Sequence, residues 1–236
     1  MVDYTKALCF MNRNWVKTAS NVLHRRFYPS SRWSVVDNNR VEALKLPYGI
    51  FNYTPALQGF PDVFEQCDEY RYEILQPDDV VLDLGANVGV YTIRAAQKVK
   101  HVYALEPLFI DELRDNVALN GLTNVTCLHG ALSDQKQVKI NFCGVEKICM
   151  GVTFKELLEM ITDDITVIKT DCEGGEYFIT PEELKNVRAI DAEVHNFIGM
   201  NTMNFVNMLT TARFISEYHV LGGGHLQLYA NKFKEM

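Results

Sequence analysis

From Asp79 onward, apolar residues switch repeatedly between two spacings. Val80–Leu84, His101–Leu105, Val125–His129, Val138–Phe142, Ile165–Thr170 and Val187–Val194 are short runs dense in Val, Ile and Leu, which predicts strands. Between them, Tyr91–Lys98, Ile110–Asn120 and Thr202–Thr211 read as helices, the second stopping at Gly121. Thr153 and Glu156 predict a capping box for a helix through Met160. Thr180, Pro181 and Glu183 predict a further capped helix start. Phe214–Val220 and Leu226–Tyr229 predict a hairpin across Gly222-Gly223-Gly224. Repeated β-α alternation predicts an α/β fold, doubly wound about a mostly parallel sheet and closed by an antiparallel hairpin.

Upstream the pattern differs. Leu8, Met11, Trp15, Ala19 and Val22 step by three or four, which predicts an amphipathic helix over residues 5–27. Residues 47–61 hold three prolines and two glycines and read as a long loop. Asp62 and Glu65 predict a helix start, with Val63, Cys67, Tyr70 and Ile74 on one face and an end before Pro77. The expected division is a helical and loop extension over residues 1–76, serving as substrate lid or interface, and a Rossmann-like domain over 77–236.

Charge sharpens this division. The chain carries a formal net charge of −7, which implies no general affinity for nucleic acid. Residues 1–34, however, hold Lys6, Arg13, Lys17, Arg25, Arg26 and Arg32 against Asp3. Two readings stay open: a helix packed on the domain with a solvated basic face, or a surface for RNA or an anionic membrane. Cys9, Cys67, Cys127, Cys143, Cys149 and Cys172 form no C-x-x-C pair and read as reduced thiols. With no run of eighteen apolar residues and no signal pattern, a cytoplasmic protein without a membrane span is expected. A homodimer contact is an open use of the extension.

The chemistry concentrates at strand ends. In "VVLDLGANVGVYTI" a buried strand ends in Asp83, followed by Gly85, Ala86, Asn87, Val88 and Gly89. Gly85 permits a tight turn and close backbone approach, and Gly89 lets helix and strand pack closely. The next strand ends in Glu106, with Pro107 beside it, 21 residues after Gly85. A carboxylate there accepts the hydroxyls of a ribose, so an adenosine-containing ligand is indicated. NAD calls for G-x-G-x-x-G and a P-loop for Gly-Lys-Ser/Thr; this loop is G-x-x-x-G. Asp83 would repel a pyrophosphate and attract an ammonium, which favours S-adenosyl-L-methionine.

"VVLDLGANVGVYT", "VYALEP", "NVALNGLTNV", "GALSD", "IKTDCEGGEYFI" and "EVH" together resemble class I S-adenosylmethionine-dependent methyltransferases, and more narrowly the FkbM family. Cys172 departs from the small apolar residue usual there. The resemblance implies a seven-stranded sheet of order 3-2-1-4-5-7-6. It implies that Asp83, Gly85, Ala86, Asn87 and Gly89 line the methionine part, with Glu106 on the ribose. Ala131 and Leu132 would border the adenine, with Asn116 or Ser133 nearby. The implied reaction is O-methylation of a small molecule or sugar hydroxyl. Methylation of tRNA or rRNA through residues 1–34 is the alternative, and a non-catalytic S-adenosylmethionine-binding module a third.

In "DITVIKTDCEGGEYF" a hydrophobic strand releases Asp171, Glu173 and Glu176 at its tip. Glu193 and His195 end the following strand on one face. An alcohol needs a base to become a good nucleophile. His195 and Asp171 are equal candidates, with Glu173 as another carboxylate whose pKa acidic neighbours would raise. Against these stand a merely hydrogen-bonded His195, and a Glu176 that caps the helix after Gly175. A metal-free mechanism is favoured over a divalent cation on Asp171, Glu173 and His195.

Overall fold

A computed structural model describes residues 32–36, 41–46, 48–52, 69–142, 145–197 and 199–233. The helix expected over residues 5–27 lies outside them. Three strands come first: β1 (Arg32–Val36), β2 (Val41–Leu46) and β3 (Gly49–Asn52) form an antiparallel sheet. Up to Asn52 the described residues of the extension are therefore mainly strand, and the loop expected over 47–61 includes β3. The helix expected to run to Pro77 is, in its described part, a 3-10 turn at Tyr72–Ile74.

The main sheet follows the expected order. In chain order its strands are β4 (Val80–Leu84), β5 (His101–Glu106), β6 (Val125–His129), β10 (Val167–Thr170), β11 (Ala189–Val194), β12 (Phe214–Val220) and β13 (Leu226–Lys232). Their spatial order is β6-β5-β4-β10-β11-β13-β12. The first five are parallel; β13 runs antiparallel to both β11 and β12. Between β6 and β10 the chain adds β7 (Ala131–Leu132), β8 (Gln137–Phe142) and β9 (Val145–Val152), a small separate sheet. β7 and β9 escape the sequence pattern because β9 points Ile148 and Met150 outward while burying Cys149. An inverted alternation hides a strand.

Helices cover both faces, as a parallel sheet requires. Val81, Val102, Ala104, Val167 and Ala189 pack with α1 (Val90–Ala96) and α2 (Ile110–Leu119). Leu46, Phe51, Tyr70 and Tyr72 enter that same core. Val80, Leu82, Leu84, Ile168, Ile190 and Val194 pack on the other face with α3 (Phe154–Met160) and α4 (Thr202–Thr211). The expected capping box at Thr153 and Glu156 is present. The helix expected from Thr180 is only a 3-10 turn, Pro181–Leu184, and Thr180 Oγ1 donates to Glu183 Oε2 at 2.6 Å instead of accepting from the backbone. Each fully buried Leu or Ile contributes about 1.5–3 kcal/mol, so the two clusters hold the sheet's edge rigidly.

Candidate active site

The loop after β4 is shaped by left-handed residues: Gly85 at φ 77°, Asn87 at 52° and Gly89 at 92°. A Cβ on Gly85 would lie 1.9 Å from the Asp171 carbonyl oxygen, so the loops after β4 and β10 touch through backbone. Gly85 and Ala86 N–H groups donate to the Leu105 carbonyl, at 3.0 and 3.1 Å. A Cβ on Gly89 would lie 2.7 Å from Leu113 Cδ1, so glycine sets how closely α1 and α2 approach.

Glu106 joins these parts. Its Oε2 accepts from Asn87 N at 2.7 Å, and its Oε1 from Leu108 N at 2.7 Å and Phe109 N at 3.0 Å. Burial pushes its pKa up, against the pull of these three N–H groups and of Lys169. The carboxylate thus ties the glycine loop to the entrance of α2. Asn116 is fully buried and already used: it accepts from Asn52 N and donates to the Val88 carbonyl, both at 2.8 Å. Asn116 thus holds β3 to the glycine loop. Ser133 Oγ accepts from Gln135 N at 3.1 Å. Ala131 and Leu132 are buried in β7, and Leu132 lies against Gly175. Pro107 presents its carbonyl to His129 Nε2 at 3.1 Å and Cys149 Sγ at 3.2 Å.

A charged row crosses the sheet beside the loop. Lys169 in β10 is in register with Asp83 in β4 and Asp191 in β11. All three are buried. Lys169 Nζ stands 3.1 Å from Asp83 Oδ1 and donates to the Gly85 carbonyl at 2.9 Å. Asp83 Oδ2 accepts from Thr92 Oγ1 at 2.6 Å. The charge of Asp83 is met inside the protein, so the direct contact with a ligand ammonium expected from sequence has a competitor. Asp191 Oδ2 accepts from Arg71 N at 2.6 Å. Burial pushes Asp191 up to about 6, against that hydrogen bond and the Arg71 and Lys169 charges.

The acidic tip converges on one imidazole. Gly174 at φ 98° and Glu173 at φ 53° turn the chain so that Glu176 points inward. Glu176 is fully buried; one oxygen accepts from His195 N at 2.7 Å and lies 3.1 Å from Nδ1, and the other accepts from Gly174 N at 2.9 Å. Glu176 therefore caps the 3-10 turn Gly175–Phe178 through the Gly174 N–H, in line with the expected cap, and in addition anchors His195. The other ring nitrogen, Nε2, faces Glu173 Oε2 at 3.5 Å, Asp171 Oδ1 at 3.7 Å and Glu193 Oε1 at 3.8 Å. Phe197 stacks on the ring at 5.5 Å between centroids, and His225 meets it edge-on at 5.0 Å. Tyr70 Oη donates to Asp171 Oδ2 at 3.1 Å.

Electrostatics follow from the crowding. Burial pushes His195 down, but the Glu176 hydrogen bond and the Glu173, Glu176 and Asp171 charges outweigh it and raise the pKa to about 9. Burial and the Asp171 charge lift Glu193 to about 7, with the His195 charge acting the other way. Burial likewise raises Glu173. A raised pKa weighs against the base role expected of His195 from sequence. Burial drives the Cys172 thiol well above its usual range, in line with an inert thiol.

The structure thus brings Asp83, Gly85, Ala86, Asn87, Gly89, Glu106 and Asp171 to one edge, with Glu173 and His195 adjoining. Sequence reasoning missed Lys169 and Tyr70. The signal for Lys169 was a lone lysine inside an otherwise apolar strand next to one ending in Asp83. Tyr70 had no such signal.

No family model matches the chain. It is 44% identical over 62 residues, 25% of its length, to 23S rRNA (uracil(1939)-C(5))-methyltransferase RlmD of Klebsiella pneumoniae. The chain spans well under half the length of the curated relatives it matches, only 14% for that protein. Precorrin-6y C5,15-methyltransferase from Geobacter metallireducens superposes with TM-score 0.52 at 16% identity, covering 73% of this chain and 88% of that one. TYW2 of M. jannaschii in complex with AdoMet gives TM-score 0.50 at 16% identity, covering 82% and 86%. Sheet order, glycine loop and these likenesses agree: the chain has the class I S-adenosylmethionine-dependent methyltransferase fold.

Proposed function

We propose that the chain transfers a methyl group from S-adenosylmethionine to a hydroxyl oxygen of a small molecule or sugar, in the manner of the FkbM family it resembles. One observation carries this reading: Gly85 and Asp171 touch, so the glycine loop and the acidic tip form one continuous wall. The donor's methionine part lies along Gly85, Ala86, Asn87 and Gly89. Asp83 acts on it through Lys169, which holds the Gly85 carbonyl. Glu106 and Pro107 border the ribose, and Ala131 and Leu132 the adenine. Asp171, Glu173, Glu193 and His195 would then flank the methyl to be transferred.

Transfer is an in-line displacement. A lone pair of the acceptor oxygen forms the new bond to carbon, the carbon–sulfur bond breaks, and its electron pair stays on sulfur as neutral S-adenosylhomocysteine. The hydroxyl proton leaves to one of the carboxylates at the tip. Alignment of oxygen, carbon and sulfur supplies several kcal/mol of the acceleration, about 7–11 in well-oriented systems. Residues 1–76 are the proposed acceptor-side cover, since Tyr70 reaches Asp171.

RNA is the second reading, supported by the likeness to an rRNA methyltransferase. The charge at the tip opposes it, because four carboxylates around one imidazole repel phosphate. Incubation with methyl-labelled S-adenosylmethionine and fractionated extract tests both. Label in an RNase-resistant, low-mass fraction is expected. Label confined to RNA would overturn the hydroxyl reading, and donor binding with no transfer to either would assign a regulatory module.

A further inference from the structure

We infer that β9 sets how the chain reads the donor's ribose: Lys147 and Cys149 are positioning residues that aim Glu106 by holding the peptides of the loop after β5. The inference deepens the proposed methyl transfer and rests on it for the identity of the ligand. Lys147 Nζ donates to the Leu108 carbonyl at 2.9 Å, and Cys149 Sγ to the Pro107 carbonyl at 3.2 Å. His129 Nε2, at the end of β6, lies 3.1 Å from the same Pro107 carbonyl. Lys147 and Cys149 are two residues apart and share one face of β9. Ile148 and Met150 lie on the other face, 72% and 73% exposed.

Each grip is transmitted through a rigid unit. The Pro107 carbonyl and the Leu108 N–H belong to one peptide, and the Leu108 carbonyl and the Phe109 N–H to the next. In a planar trans peptide these two groups point in opposite directions. A β9 side chain on each carbonyl therefore turns the N–H toward Glu106 Oε1, which accepts the pair at 2.7 and 3.0 Å. Asn87 N occupies a position on Oε2. A carboxylate offers about four acceptor positions, so these N–H groups leave room for one ribose hydroxyl on Oε2. Burial pushes the Cys149 thiol up and so keeps its S–H as a donor. Further along the strand, Gly151 and Val152 pair with Ala131 and Leu132, and the Val152 carbonyl accepts from Ser133 N at 2.9 Å. One strand thus holds both the loop proposed for the ribose and the residues proposed for the adenine.

The experiment is calorimetric titration of the full chain with S-adenosylhomocysteine and with its 2′,3′-dideoxy analogue. The parent chain is expected to prefer S-adenosylhomocysteine. Lys147→Met and Cys149→Ala are each expected to weaken S-adenosylhomocysteine by about fivefold or more while leaving the analogue within about twofold, because only the hydroxyl contact is disturbed. Ile148→Thr, on the opposite face of β9, is expected to change neither. Lys147 is exposed, so Lys147→Met keeps the test decisive if Cys149→Ala unfolds the hairpin. Equal loss of both ligands in a folded Lys147→Met, or no loss of either, would overturn the positioning role. A parent chain with no preference for the hydroxyl-bearing ligand would overturn it as well. A parent chain that binds neither ligand would sink the methyltransferase reading itself, and this use of β9 with it.

Discussion

Lys169 Nζ lies 3.1 Å from Asp83 Oδ1 with both side chains sealed from solvent. Asp83 Oδ1 has no hydrogen bond of its own, so the lysine charge is what compensates it. The pair also sets the glycine loop, because the same ammonium holds the Gly85 carbonyl. A strand residue thus governs a loop that sequence alone would credit to its glycines.

Lys169→Met should therefore lower stability by about 3–5 kcal/mol, the usual cost of leaving one partner of a buried ion pair. The Asp83→Asn/Lys169→Met double variant should recover part of this. Urea unfolding measures both. A single variant as stable as the parent would mean that Asp83 does not need Lys169.

Gly85→Ala puts a Cβ 1.9 Å from the Asp171 carbonyl at a φ of 77°. Left-handed strain costs about 1–2 kcal/mol, and the overlap must also separate the two loops. The expected result is a lower melting temperature with S-adenosylhomocysteine affinity reduced at least tenfold. Unchanged affinity in a folded variant would remove this contact from the donor site.

Glu106→Gln presents an amide N–H₂ where one carboxylate oxygen accepted backbone N–H groups. Unmatched donors should cost about 1–3 kcal/mol. Loss of the ribose acceptor should weaken the donor further than stability alone explains. Titration with S-adenosylhomocysteine against adenine separates the two effects: adenine binding should change less.

Asp79 predicts an acid limb. Burial acts to raise its pKa, but hydrogen bonds from Arg188, Gln76 and Thr166 and the Arg188 charge outweigh it and hold it below 3.8. The unfolded chain takes up this proton at higher pH than the folded one. The stabilisation is therefore full above 3.8 and fades as pH falls through the folded value. Asp79→Asn should lower the urea midpoint at pH 7, and the gap should narrow toward pH 3.5. A constant gap would exclude this linkage.

The sheet was readable from the chain because its signal is local. Apolar runs of strand length alternate with helical spacing, and Gly85, Gly89 and Gly121 punctuate them. β9 was not readable, since Ile148 and Met150 face solvent while Cys149 between them is buried. The residues that gather at the tip were also named from sequence, because strand ends of a parallel sheet meet at one edge. Their roles were not.

Local pattern by itself determined the α/β class and the glycine loop with acids at neighbouring strand ends; the strand order came from the resemblance. Only tertiary structure decided which partner each charge has. Lys169 reaches Asp83 across two strands, and Glu176 turns inward to hold His195. Charge pairing depends on through-space distance in a dry interior, and residues 86 positions apart in the chain carry no local mark of standing side by side in register.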